Sequence, residues 1–252
     1  MEKIFIPSKN RVNNCSFVKL LINWGVPFTI VLEPQEANKY ISAYGDLDIL
    51  LLPQSDQGIS YARNHLKEHT ENLGIKKYWM FDDDLTALYF REDARMVKGD
   101  ISVLCKAESQ FSQHGAAIGA LDYQQIAWSA TNPISINTYC EVAVFVDNSK
   151  TRGLRYRQEV NGKEDRDFVM QIIKNGGKSV RTTLYAFGAP AIGSNSGGLK
   201  DIFYDLGKED LCCDAMVKMW GEDICQKYKK ENGRVDVKIH WSRITSPQIS
   251  LF

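Results

Sequence analysis

Four short apolar runs in the first 81 residues constrain this chain more than any other feature. Lys3–Pro7, Phe28–Leu32, Asp48–Pro53 and Tyr78–Phe81 read as strands, and Ser16–Trp24, Ala37–Tyr44 and Ile59–Leu73 between them read as helices. Strands this apolar, separated by helical stretches, are covered on both faces. That predicts an α/β fold with a mostly parallel central sheet flanked by helices. In such sheets ligands bind beyond the carboxyl ends of the strands. Pro7–Arg11, Glu33, Pro53–Gly58 and Asp82–Asp84 are therefore expected as neighbours in space.

The second half is less regular. Ile101–Ser112 is ambiguous, Glu141–Val146 and Val180–Phe187 read as strands, and Glu164–Asn175 reads as a helix with an acidic first turn, as the helix dipole favours. Gly193–Gly198 (GSNSGG) reads as a loop, either a lid, part of an acceptor loop or a plain linker. Lys208–Asn232 is expected to be mostly helical, and Val235–Trp241 a last strand. Without repeat, low-complexity stretch or evident linker, residues 1–252 are expected to form one domain. Its nucleotide half spans about 1–95 and its acceptor half about 96–252.

Composition excludes several classes. Lys plus Arg and Asp plus Glu both number 31, so the chain carries no bulk charge with which to coat nucleic acid, although a local basic groove stays open. Six scattered cysteines include no CxxC pair, which argues against a zinc site or a disulfide framework and for a reducing, cytoplasmic setting. No apolar run approaches the roughly 20 residues that span a bilayer, and MEKIFIPSKNR lacks the apolar core of a signal peptide.

The sharpest chemical signal is Tyr78-Trp79-Met80-Phe81 running into Asp82-Asp83-Asp84. In an extended segment residues 82 and 84 project to one side and 83 to the other. Two such carboxylates suit a hard divalent cation that bridges nucleotide phosphates, since Mg2+ favours one or two carboxylates plus substrate phosphates over an all-protein cage. The same triplet also fits a solvated acidic turn, or an N-cap at Asp84 ahead of a helix over Leu85–Tyr89.

Taken together, IPSKNR at 6–11, VLEPQE at 31–36, LPQSDQGISYARN at 52–64, YWMFDDD at 78–84 and KEDRDF at 163–168 give the chain its resemblance. It resembles the GT-A glycosyltransferases, and most closely the TET-associated glycosyltransferase family, whose phage members are linked to sugar addition on hydroxymethylated DNA pyrimidines. The motifs sample positions 1–170; the last 80 residues are much less informative.

The resemblance implies roles residue by residue. Pro7, Ser8 and Arg11 would cradle the nucleoside, Glu33 would contact uracil or ribose, and Arg63 would lie near the diphosphate. Gly58 would allow close backbone approach. Asp82 and Asp84 would handle Mn2+ or Mg2+ and the diphosphate of a nucleotide-sugar, in all expectation UDP-linked, and Asp83 the ribose or donor sugar. Lys163-Glu164-Asp165 resembles the acceptor-side acidic motif of inverting enzymes, which puts the general base on Asp165 with Glu164 in reserve and Asp167 near. These acids also suit the start of a helix. His240 is a candidate third metal ligand; His65, His69 and His114 have weaker claims.

Between Lys150 and Arg181 nine basic residues stand against four acids. Arg155, Arg157 and Tyr156 are the expected acceptor contacts, with the cations following a phosphate backbone and Tyr156 or Tyr185 packing on a base. A base in duplex DNA must leave the stack before its hydroxymethyl group enters a pocket. The competing readings are the same fold acting on a protein or glycan hydroxyl, a nucleotidyltransferase that releases pyrophosphate, and a non-catalytic nucleotide- or DNA-binding module.

Overall fold

The computed structural model describes residues 1–93, 95–191, 197–198, 207–231 and 233–244. Strands β1 (Lys3–Pro7), β2 (Thr29–Leu32), β3 (Asp48–Leu51) and β4 (Lys77–Phe81) alternate with helices α1 (Ser16–Asn23), α2 (Ala37–Tyr44) and α3 (Ile59–Asn72). β3, β2, β1 and β4 lie side by side and pair in parallel throughout. The four expected strands and the three helices between them are thus present.

Beyond β4 the sheet is mixed. β5 (Ala87–Glu92) and β6 (Arg95–Gly99) form a hairpin, followed by α4 (Ser102–Gln113), β7 (Ile118–Tyr123), the short α5 (Gln124–Ala127), β8 (Ile134–Ile136) and β9 (Ala143–Asp147). α6 (Glu164–Lys174) then leads into β10 (Ser179–Gly188). The sheet runs β3-β2-β1-β4-β9-β7-β10-β5-β6, with β8 on β10. β9 lies antiparallel to both β4 and β7, whereas β7 and β10 are parallel.

Period-two alternation divides the core. Phe5, Tyr78 and Met80 face one side, packed with Ala62 and Leu66 of α3 and Phe168, Val169 and Ile172 of α6. Ile4, Ile6, Trp79 and Phe81 face the other, against Phe17, Val18 and Leu21 of α1, Tyr40 of α2 and Leu104 and Phe111 of α4. On that second face Trp79 stacks on Phe81 at 5.1 Å, and its indole N–H donates to Glu108 at 2.7 Å.

Two sequence expectations are corrected. No helix follows Asp84: from Ala87 the chain is strand β5, because Leu88, Tyr89 and Phe90 pair with β10 on one side and β6 on the other. Among the described residues of the stretch 208–232, the α-helix is confined to α7 (Glu209–Trp220), which Gly221 ends at φ +81. β11 (Cys225–Lys229) follows and pairs antiparallel with β12 (Val235–Ile239), and Gly233 between them takes φ +84, the left-handed backbone that tight hairpin turns need. Most of GSNSGG, residues 193–196, lies outside the described residues. No helix among the described residues is long and apolar enough to cross a membrane.

Candidate active site

A cleft of about 250 Å3 opens at the carboxyl ends of β1, β2 and β4. Because β9 runs antiparallel to β4, its amino end arrives at the same edge and brings Glu141 and Val142 into the wall. The first turn of α6 contributes Glu164, Asp165 and Arg166, and the β11–β12 hairpin contributes Lys230, Arg234 and Asp236. Pro7, Ser8, Arg11, Glu33, Gly58, Arg63 and Asp82–Asp84 all line this one space.

The acidic triplet does not alternate as an extended segment would: Asp83 and Asp84 lie in a turn after β4 and their carboxylates share Arg11 Nη1, while Asp82 faces Arg63. Asp83 is buried at 3% exposure and accepts hydrogen bonds from Ser8 Oγ and, at 2.8 Å, from Arg11 Nη1. Ser8 Oγ also meets the Tyr40 hydroxyl at 2.7 Å. Asp83 therefore orients the first loop, where the sequence pointed to a contact with ribose or sugar. Its backbone carbonyl accepts from Phe17 N–H at 3.1 Å and that of Asp84 from Ser16 Oγ at 3.0 Å, so α1 clamps the turn. The Asp84 carboxylate reaches Arg11 Nη1 at 2.8 Å.

Asp82 keeps 41% of its side-chain exposure, and its closest cation is Arg63 Nη2 at 3.5 Å. Although water reaches it, enclosure by the cleft walls pushes its carboxyl up to about 7; Arg63 opposes this and the charges of Asp84 and Asp83 add to it. Crowded carboxylates with so little relief match the donor set that a hard divalent cation takes. Charge balance agrees. Among the described residues seven basic and eight acidic side chains line the cleft, so a diphosphate entering it adds negative charge that the protein alone does not offset.

Arg63 bridges the acidic triplet and the first turn of α6. Its Nη1 donates to Glu164 Oε1 at 2.8 Å, and Glu164 Oε2 accepts from Gly162 N–H at 2.6 Å. With both oxygens committed and 3% exposure, Glu164 is a positioning group for Arg63. Asp165 lines the cleft on the same turn of α6, with one oxygen accepting from Arg166 N–H at 2.7 Å. The charges of Glu164, Asp82 and Asp165 all act on Arg63.

Glu33 is also saturated. Oε1 accepts from Lys9 Nζ at 2.7 Å and Asp56 N–H at 2.8 Å, and Oε2 from Gln35 at 2.6 Å. Gly58 has φ +86, and a Cβ there would meet Asn161 Nδ2 at 2.4 Å. Asn161 Oδ1 accepts from Ser60 N–H and Oγ, both at 3.0 Å, holding the first turn of α3. The glycine at 58 thus answers to its backbone conformation and to Asn161.

Several expected site residues lie elsewhere. Tyr156 is 3% exposed, stacked on Phe168 at 4.2 Å and covered by Arg63 at 5.6 Å, so no base reaches its ring. Asn64 holds the Tyr156 backbone through both its N–H and its C=O. Arg155 pairs with Glu71 at 2.9 Å; Arg157 meets Asp167 at 3.3 Å and lies over Trp220. None of the three lines the cleft. His240, just after β12, is also not among the lining residues, and no three His, Cys, Asp or Glu side chains among the described residues are placed to hold a metal. His65 and His69 pack in ring contacts with Tyr61 and Phe5, and His114 caps α4.

Sequence reasoning missed a strained turn. Val142 has φ +69, and Ala143 N–H closes a three-residue turn onto Glu141 C=O at 2.8 Å. This hand of tight turn is rare and strained, more so for a β-branched residue. Its carbonyl accepts from Asp82 N–H at 2.9 Å, locking the strain to the triplet, and the turn presents Glu141 to the cleft. Burial, and then the charge of Asp165, push the Glu141 carboxyl above its usual range. Strain of this kind clusters at functional sites.

Residues 2–198 match the family model described as TET-Associated Glycosyltransferase. The chain belongs to that family. This TET-associated glycosyltransferase matches no curated protein. Among solved structures, GalNAc-T7 with UDP, GalNAc and Mn2+ is similar over 75% of this chain and 43% of that one, at 9% identity and TM-score 0.51. The chain thus spans less than half of that structure. A protein from STIV is 12% identical over 76% of this chain and 86% of that one (TM-score 0.48). Mannose-1-phosphate geranyltransferase from Thermus thermophilus is 9% identical over 74% and 75% (TM-score 0.43). The fold is that of the GT-A nucleotide-sugar transferases, and the protein is a nucleotide-sugar glycosyltransferase.

Proposed function

We propose that this glycosyltransferase moves a sugar, in a cation-dependent reaction, from a UDP-sugar to the hydroxyl of a hydroxymethylated pyrimidine in DNA. The observation that carries the donor half is Asp82 and Asp84 at the end of β4, beside Arg11 and Arg63, in a cleft too acidic to take a diphosphate unaided. Asp82 and Asp84 would hold Mn2+ or Mg2+, as hard cations favour carboxylate oxygens. When bound, the cation supplies Lewis-acid stabilisation of the departing diphosphate. The UDP and Mn2+ of the GalNAc-T7 structure support this choice of donor and metal.

The protein's own groups then divide the work. Lys9, Ser8 and Glu33 fix the first loop around the nucleoside, and Arg11 and Arg63 offset charge on the phosphates. Asp165 takes the proton of the attacking hydroxyl in an inverting displacement, and Glu164 keeps Arg63 in place beside it. The DNA acceptor is supported by the family's association with hydroxymethylated pyrimidines. A protein or glycan hydroxyl is the second reading, favoured by zero net charge and by the commitment of Arg155 and Arg157 to acidic partners.

Nucleoside diphosphate release tests the donor and metal parts. A panel of UDP-sugars is expected to yield UDP with Mn2+ and almost none after chelation. Release is expected to rise when hydroxymethylated DNA is added. Pyrophosphate in place of UDP would make the protein a nucleotidyltransferase, and no release from any donor would leave a binding module.

A further inference from the structure

The β11–β12 hairpin lies beyond the residues that match the family model, yet it walls the same cleft as the acidic triplet. It brings a second ionic cluster. Asp236 on β12 accepts from Lys163 at 2.8 Å, Arg166 at 2.7 Å and Lys230 at 2.6 Å. Arg234 pairs with Glu209 at 2.6 Å, and Glu209 also lies 3.9 Å from Lys163. Four cations thus meet two carboxylates in ion pairs, and Glu141 and Asp165 act on Arg166 as well. Burial works against ionisation of Asp236, but Arg166, Lys163 and Lys230 hold its carboxyl well below the usual range.

The two deeper cations, Lys163 and Arg166, keep 7% and 15% of their side-chain exposure; Lys230 and Arg234, at the rim, keep 37% and 31%. The cluster also sits on the acceptor side. Arg166 follows Asp165 in α6, and the charges of Glu141, Asp236 and Asp165 all act on it. In the proposed reaction the donor diphosphate has its own pair of arginines, Arg11 and Arg63, which pair with the acidic triplet and not with Asp236 or Glu209.

We propose that Lys230 and Arg234, backed by Lys163 and Arg166, form a phosphate subsite that holds a phosphodiester of the acceptor strand beside the nucleotide being glycosylated. This rests on the DNA acceptor put forward above. A phosphate oxygen takes over from Asp236 and Glu209 as partner of the rim cations, which need only swing on their long side chains. The subsite would hold the strand in register while Asp165 meets the hydroxyl.

The test compares wild type with Lys230→Gln and Arg234→Gln, using hydroxymethylated single-stranded DNA as acceptor and UDP as the donor-site probe. Each variant is expected to raise the KM for DNA about 10-fold, the effect of removing one charge-assisted hydrogen bond to phosphate. The log–log slope of DNA affinity on salt should become shallower by about 0.7 for each phosphate of a single strand that the variant no longer neutralises. The Kd for UDP with Mn2+ should stay at the wild-type value, which also reports an intact fold. An unchanged KM and salt slope would overturn the proposal. So would a UDP affinity that falls by the same factor, since the cations would then serve the donor. If the wild-type protein transfers sugar to no DNA at all, the acceptor reading fails first and this subsite fails with it.

Discussion

Asp84→Ala is expected to lower kcat/KM for sugar transfer by about 10³-fold, since the Lewis-acid contribution of a bound cation is several kcal/mol and each 1.36 kcal/mol is a factor of ten. The loss should appear mainly as a missing metal response: Mn2+ titrations that saturate in wild type should stay flat in the variant. The fold is expected to survive. Arg11 retains its 2.8 Å bond to Asp83, and the turn backbone remains clamped by Ser16 and Phe17 of α1. A thermal melt close to wild type, together with abolished transfer, separates a metal ligand from an acidic cap. An acidic cap would give the reverse, a lowered melt and retained Mn2+-dependent transfer.

Asp165→Asn is expected to cost 10²–10⁴-fold in kcat, the range for a positioned general base, with little change in KM for the donor. The amide keeps the shape and can still accept from Arg166 N–H, which in the protein donates to Asp165 at 2.7 Å. What it cannot do is take a proton. Arg63, the proposed partner of the donor phosphates, stays anchored by the Glu164 bond at 2.8 Å. Steady-state kinetics with saturating donor measures this directly. A variant with wild-type kcat would remove Asp165 from the proton path and turn attention to Glu141, another acid lining the cleft.

The convergence of the strand-end residues on one cleft was legible because each of its signals is local. β1, β2 and β4 read as uninterrupted apolar runs, and a parallel sheet delivers whatever follows them to one edge. The pleat did not predict how the triplet divides, because Asp83 and Asp84 turn away from the strand and share Arg11. Roles were less legible than positions. Glu33, Asp83 and Glu164 all reach the cleft, but each spends its oxygens on protein donors that sequence does not reveal.

The acceptor half was opaque because its contacts are long-range. Tyr156 sat in a basic stretch and looked like a stacking platform, but Asn64, 92 residues away, pins its backbone while Phe168 covers its ring. Arg166 meets Asp236 across 70 residues, so nothing near either one announced the cluster. The β5–β6 hairpin was hidden by Asp84, whose residue type suits a helix cap as well as a turn into a strand. Val142 carried no signal at all: a valine is the last residue composition would assign to φ +69.

Mass analysis of nucleosides from treated DNA tests the central claim most directly. Hydroxymethylated DNA would be incubated with the protein, Mn2+ and each UDP-sugar, then digested and weighed nucleoside by nucleoside. The account predicts that the hydroxymethylpyrimidine nucleoside gains the mass of one glycosyl residue with at least one donor, and that Asp84→Ala abolishes the gain. UDP release across the panel with no mass added to any nucleoside would contradict it, and would move the acceptor to a protein or glycan hydroxyl.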